Sequence, residues 1–228
     1  METLGKNIIA IGGGGFTHEP ENPLLDLYVL EQTHADNPRI SFLPTANSNP
    51  AKYVEDFYRF FSQYKCQPSH LDLFNPHTSD IKDYLLSQDV IYVGGGNTKS
   101  MLAVWREWGI DTILKQAWDH GVVLAGVSAG AVCWFEEGVT ASIPGHVTHI
   151  KGLGFLDGSC CPHYDASPDR QRVIHERIES GSIQQGFLID DHAAIHFAGH
   201  SVKCAVSSLP NRRVSILKLD QIDLPPIN

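Results

Sequence analysis

Residues Val122 to Cys133 read V-V-L-A-G-V-S-A-G-A-V-C. An apolar run of strand character, Val122 to Val127, meets the G-x-S-x-G pattern Gly126-Val127-Ser128-Ala129-Gly130. Ala131, Val132 and Cys133 can continue as a buried helix. A strand, a sharp turn and a helix with one hydroxyl at the apex form a nucleophile elbow. The small neighbours Gly126, Ala129 and Gly130 let the backbone turn tightly and keep side chains off the serine. The Ala129 N–H would then face the oxygen of whatever Ser128 attacks. A serine hydroxyl is a poor nucleophile at neutral pH, so it needs a base within hydrogen-bond reach, and that base needs an orienting group.

Twelve histidines offer the base. His163 sits in Cys161-Pro162-His163-Tyr164-Asp165, where the proline before it and the turn-forming aspartate after it suggest a fixed loop position. His146 and His149 have His-x-x-His spacing, but Pro144 and Gly145 argue against the helix a metal pair would need, and a surface or structural place is expected. His192, His196 and His200 run into a strand and are expected at its edge or surface. Cys160-Cys161-x-His163 lacks the spacing of a zinc site, so no metal is expected. The orienting carboxylate should come from a buried turn, and Asp190-Asp191, between two short strands, fits. Two adjacent carboxylates cannot both face one imidazole, which leaves Asp190 and Asp191 as alternatives. The resulting chain order, Ser-His-Asp, differs from the Ser-Asp/Glu-His order of the α/β-hydrolases.

The elements that must hold these residues alternate through the first half. Strands are expected at Asn7–Ile11, Arg39–Leu43, Gln67–Phe74, Val90–Val93 and Val122–Val127. Helices are expected at Pro23–Gln32, Pro50–Tyr64, from Ser79, after the cap Asn97-Thr98, and at Asp111–His120. Such alternation marks an α/β fold, a mostly parallel central sheet with helices on both faces. The glycine turns at Gly12–Gly15 and Gly94–Gly96 and the Ser128 elbow all follow strand carboxyl ends, where open α/β sheets place their sites. Gly12–Gly15 matches neither G-x-G-x-x-G nor a P-loop and reads as a turn with close backbone approach. The aromatic face Tyr53, Phe57, Phe60, Phe61 and Tyr64 reads as core packing. The second half is less regular: a weakly alternating stretch from Val139 to Leu156, a helix at Pro168–Ser180, and short, partly antiparallel strands at Phe187–Ile189, Ala193–Phe197, Val202–Val206 and Val214–Leu217. No linker or repeat divides the 228 residues, so one domain over 1–228 is expected.

A net charge of -9 with no basic cluster argues against nucleic acid as a partner. No apolar run is long enough to span a bilayer, no signal peptide is evident, and five cysteines without regular spacing suit reduced thiols in a cytoplasm.

Taken together, I-I-A-I-G-G-G-G-F at Ile8–Phe16, N-P-L-L-D at Asn22–Asp26, F-L-P-T-A at Phe42–Ala46 and I-Y-V-G-G-G-N-T at Ile91–Thr98 form a family pattern. It continues through L-A-G-V-S-A-G at Leu124–Gly130, C-W-F-E-E-G-V-T at Cys133–Thr140 and C-P-H-Y-D at Cys161–Asp165. The chain resembles the peptidase E-like serine peptidases, the aspartyl dipeptidase and cyanophycinase group, and looks closest to those of Gram-positive type. The resemblance implies a fold like that of the class I glutamine amidotransferases (flavodoxin-like), with serine where those enzymes carry cysteine. It implies Ser128 as nucleophile, His163 as base and acid, Asp191 as third member with Asp190 as fallback, and Gly96 and Ala129 as oxyanion N–H donors. Asn97, Arg170 and Arg172 are the expected substrate contacts. Asp169 stands where the aspartyl dipeptidases carry an arginine that holds the substrate's acid, and an acid cannot pair with an aspartyl side chain. The expectation is a cofactor-free, cytoplasmic monomer or homodimer that hydrolyses dipeptides or short peptides without strict preference for aspartate. An esterase or amidase, and a non-catalytic small-molecule binder on the same scaffold, are the competing expectations.

Overall fold

A computed structural model describes residues 5–183, 185–218 and 222–224, the last three by backbone alone. In chain order the elements are β1 (Asn7–Ile11), α1 (Leu24–Glu31), β2 (Arg39–Leu43), α2 (Pro50–Phe61), β3 (Gln67–His70), α3 (Ile81–Leu86) and β4 (Val90–Val93). Then come α4 (Thr98–Trp108), α5 (Ile110–Asp119), β5 (Val123–Val127), α6 (Ala129–Val132), β6 (Phe135–Ile143), β7 (His146–Lys151) and β8 (Leu156–Pro162). The chain continues through α7 (Pro168–Glu179), β9 (Gly186–Ile189), β10 (Ala193–Ala198), β11 (Ser201–Ser207), β12 (Val214–Leu217) and β13 (Ile222–Leu224).

Among the described residues the first sheet has the order β11-β10-β1-β5-β4-β2-β3. Its five strands from the first half are mutually parallel, and β10 and β11 add an antiparallel edge. Alternate side chains face opposite ways along a strand, and both faces are apolar here. Ile9, Ile11, Phe42 and Tyr92 pack with α1 and α2. Ile8, Ala10, Ile91 and Leu124 pack with α3, α4, α5 and α6. The α2 aromatics Tyr53, Phe57, Phe60 and Phe61 are all buried in that first layer, as core.

The weakly alternating second half builds a separate sheet, order β13-β12-β9-β8-β6-β7. Here β6 and β7 form a hairpin, while β8 runs parallel to both β6 and β9. Strands β6, β7 and β8 mix exposed and buried positions with no continuous apolar run, which is why they are faint in the sequence. Phe135, Phe187 and Phe197 interlock between the two sheets with ring centroids 5.2–5.7 Å apart, Phe197 meeting the other two edge-on. No described helix is long and apolar enough to cross a membrane.

His196 departs from its expected surface place. Because β11 covers β10, the ring is fully buried and bonded to the Tyr28 hydroxyl at 2.7 Å and to Asn7 Oδ1 at 2.9 Å. Burial lowers its pKa to about 4.

Asp26, in the first turn of α1, is also fully buried, and neither carboxylate oxygen nor the neighbouring Tyr92 hydroxyl is in hydrogen-bond geometry. Burial, with the charge of Glu19 adding to it, pushes the acid up to about 7. An acid raised in the folded state favours folding below its unfolded value of about 4, and that contribution is lost as the pH climbs to about 7. Asp26→Asn, which cannot ionise, is therefore expected to melt several degrees higher than the wild type at pH 8 and to flatten the stability curve between pH 4 and 7. Thermal melts across that range check this; an unchanged slope would rule out the Asp26 carboxyl as its source.

Candidate active site

The turn after β5 brings its hydroxyl forward at a conformational cost. Ser128 has φ 56° and ψ −108°, a region that costs a non-glycine residue about 1–3 kcal/mol. Its N–H is held by the Ile11 carbonyl at 2.9 Å, which ties the elbow to the end of β1. Glycine is required at position 126 because a Cβ there would sit 2.2 Å from the Gly130 carbonyl.

His163 comes from the other sheet. It follows β8, whose last residue, Pro162, lies opposite Ile189 at the end of β9. That register sets the two loops side by side, and His163 (φ 54°) is itself left-handed. Its Nε2 is 2.8 Å from Ser128 Oγ, and its Nδ1 is 2.5 Å from Asp191 Oδ1. With the serine hydroxyl donating to Nε2, the Nδ1–H donates to the carboxylate. The His163 hydrogen bond, reinforced by the charges of His163, His192 and Arg212, holds Asp191 below the usual carboxylate range.

Asp190 points elsewhere. Its Oδ2 accepts the Arg213 N–H at 3.1 Å, and burial raises its pKa. Adjacent side chains on an extended segment face opposite ways, and the bridge between Gly13 and Asp191 decides which one reaches the histidine. Gly13 lies against the pair so closely that a Cβ would fall 1.9 Å from Asp191 Oδ1 and 2.8 Å from His163 Nδ1. The glycine-rich turn after β1 is thus a close backbone approach, and its target is the histidine–carboxylate bond.

Further supports were not legible in the sequence. The Asp191 N–H donates to Asp165 Oδ1 at 2.8 Å, and Asp165 in turn pairs with Arg212. On the far side, His192 Nδ1 lies 2.6 Å from Glu19 Oε2, and the His192 N–H donates to the Gly13 carbonyl at 3.0 Å. The only sequence signal for these was the clustering of Asp165 with His163.

A cleft of about 390 Å³ opens at Ser128 and His163, lined also by Gly13, Gly95, Gly96 and the α2 residues Lys52, Tyr53 and Asp56. The three residues expected to touch substrate lie outside that lining. Asn97 caps α4, accepting the Ser100 N–H and donating to the Ser142 carbonyl. The Arg170 guanidinium turns into the protein to donate to the Val139 carbonyl at 2.9 Å. Arg172 pairs with Glu176 one turn along α7 at the surface. Helix α7 packs on β6, β7 and β8, and Arg170 and Arg177 both bond to β6, at the Val139 carbonyl and the Glu137 carboxylate. Cys160 and Cys161 are buried thiols, Cys161 pushed up to about 12 by that burial. Among the described residues no group of three or more His, Cys, Asp and Glu is placed to hold a metal.

A mostly parallel α/β sheet thus carries a serine elbow beside a histidine–carboxylate pair, an arrangement suited to hydrolytic chemistry. The model of peptidase family S51 matches residues 8–205, and the chain belongs to that family of peptidases. It is 52% identical over 203 residues to the uncharacterized peptidase YgaJ of Bacillus subtilis, covering 89% of this chain and 88% of the relative. Among solved structures it superposes on a Listeria monocytogenes protein described as peptidase E, with TM-score 0.66, 23% identity and coverage of 89% and 98% of the two chains. A peptidase from an acI-B1 actinobacterium superposes with TM-score 0.71 at 15% identity, covering 96% and 94%. Those two likenesses establish the fold.

Proposed function

We propose that this peptidase is a serine enzyme that hydrolyses dipeptides or short peptides through an acyl-enzyme on Ser128. The observation that carries the reading is the continuous hydrogen-bonded line from Ser128 through His163 to Asp191 at the mouth of the cleft. His163 Nε2 takes the hydroxyl proton as Ser128 Oγ attacks the scissile carbonyl, and Asp191 stabilises the imidazolium that forms. The carbonyl oxygen, now anionic, accepts from the Gly96 and Ala129 amides. Neither amide donates to a protein acceptor among the described residues. His163 then returns its proton to the leaving amine. Water, deprotonated by the same nitrogen, releases the acyl group.

A cleft of about 390 Å³ suits a ligand the size of a short peptide. Lys52 and Asp56 are the formally charged residues of its described lining, and no arginine is among them. The Lys52 ammonium already pairs with the Asp56 carboxylate, so a strict requirement for an N-terminal aspartate is not expected. The five cysteines stand as thiols, which suits a reducing cytoplasm. A mass-spectrometric screen of a complete dipeptide library, run beside simple esters, tests the reading. Cleavage of dipeptides with several different first residues is expected. Turnover of esters alone would replace the peptidase by an esterase, and cleavage confined to Asp-X would overturn the specificity.

A further inference from the structure

Tyr53 stands in the second turn of α2, with its ring packed against Phe42 and Phe16 at centroid distances of 4.8 and 5.5 Å. Its hydroxyl leaves that aromatic layer and enters the cleft lining, where it accepts the Gly95 N–H at 3.1 Å. Burial raises the phenol's pKa, so the group stays a neutral hydroxyl.

The turn it holds is the one beside the nucleophile. A Cβ on Gly95 would lie 3.3 Å from the Ser128 Cβ, and one on Gly94 would lie 2.8 Å from the Tyr53 ring. Two residues on, the Asn97 N–H is fixed by the Ala46 carbonyl at 2.8 Å. The turn is thus pinned on both sides of Gly96. That residue has φ 141°, and its own N–H is committed to no protein acceptor among the described residues.

We propose that Tyr53 is a positioning residue for transition-state stabilisation: its hydroxyl fixes the Gly94–Gly95 peptide so that the Gly96 N–H is aimed in advance at the oxyanion. Fixed dipoles stabilise a developing charge without reorganising as it forms, and this is their advantage over water. The inference rests on the serine-peptidase reading above and adds a group that the elbow, the histidine and the carboxylate do not contain.

The test compares wild type with Tyr53→Phe, which removes one oxygen and keeps the ring. Three quantities are measured: kcat and KM on the dipeptide cleaved fastest in the library screen, and the affinity of 1-aminoethylboronic acid. The tetrahedral boronate adduct of a serine carries an oxygen where the oxyanion would be. A kcat lower by roughly 10- to 100-fold is expected, less than the 10²–10³ typical of losing a donor outright. KM should stay within about twofold, and boronate affinity should fall by the same factor as kcat. Unchanged kcat and boronate affinity would overturn the proposal. So would a loss confined to KM, which would make Tyr53 an ordinary substrate contact.

Amide resonances of the wild type provide a second measurement, independent of how the variant folds. On adding the boronate, the Gly96 amide should move downfield while the Gly95 amide keeps its shift; a moving Gly95 amide would place the donor there and sink the idea. Ser128→Ala separates the two claims. If that variant remains active, or wild type forms no boronate adduct, the serine reading itself fails. If it is inactive and Tyr53→Phe is not impaired, only the role of Tyr53 is lost.

Discussion

Replacing Ser128 by alanine is expected to lower kcat on the best dipeptide by at least about 10⁴-fold, because the nucleophile of a serine hydrolase carries most of its rate enhancement. The fold should survive the change. The only side-chain hydrogen bond that Ser128 Oγ makes among the described residues is with His163, and that ring opens onto the cleft, where water can replace the lost partner. Alanine has the same difficulty as serine with a φ of 56°. Glycine does not, so Ser128→Gly should be as inactive as Ser128→Ala and melt higher than either the wild type or the alanine variant. A site that gains stability as it loses its nucleophile is one where strain is retained for chemistry. Steady-state rates and thermal melts of the two variants check this together. Wild-type turnover in either would show that the hydroxyl at the elbow is a bystander.

The second large effect concerns the paired aspartates. Asp191→Asn is expected to reduce kcat by about 10⁴-fold, the loss seen when an amide replaces the orienting acid of a serine–histidine pair and permits the wrong imidazole tautomer. KM should change little, since the carboxylate lies behind the ring from the substrate. Asp190→Asn should leave kcat within a few-fold and act on stability, because Asp190 serves the Arg213 backbone. A double-sided comparison of kcat and melting temperature for the two variants decides between them. The opposite pattern, with Asp190 essential and Asp191 dispensable, would require the loop after β9 to turn over.

The elbow, the alternating first half and the buried aromatic face of α2 could be read from the chain alone, because each depends on local spacing. An apolar strand must bury, a glycine-flanked serine must turn sharply, and a 3.6-residue stripe must face a core. The same local spacing marks Ser128, while His163 stands out among twelve histidines through the family resemblance. The choice of Asp191 over Asp190 depended on contacts far apart in the chain: the Pro162–Ile189 register, and the Gly13 backbone that lies against the bond. The second sheet, the burial of His196 and the turning of Arg170 toward Val139 are likewise products of packing. A linear pattern records which side chains can do chemistry and how the nearest backbone bends. Which of two neighbouring carboxylates meets an imidazole is settled only when two strands pair in one register, since a shift of a single residue would point the other one inward.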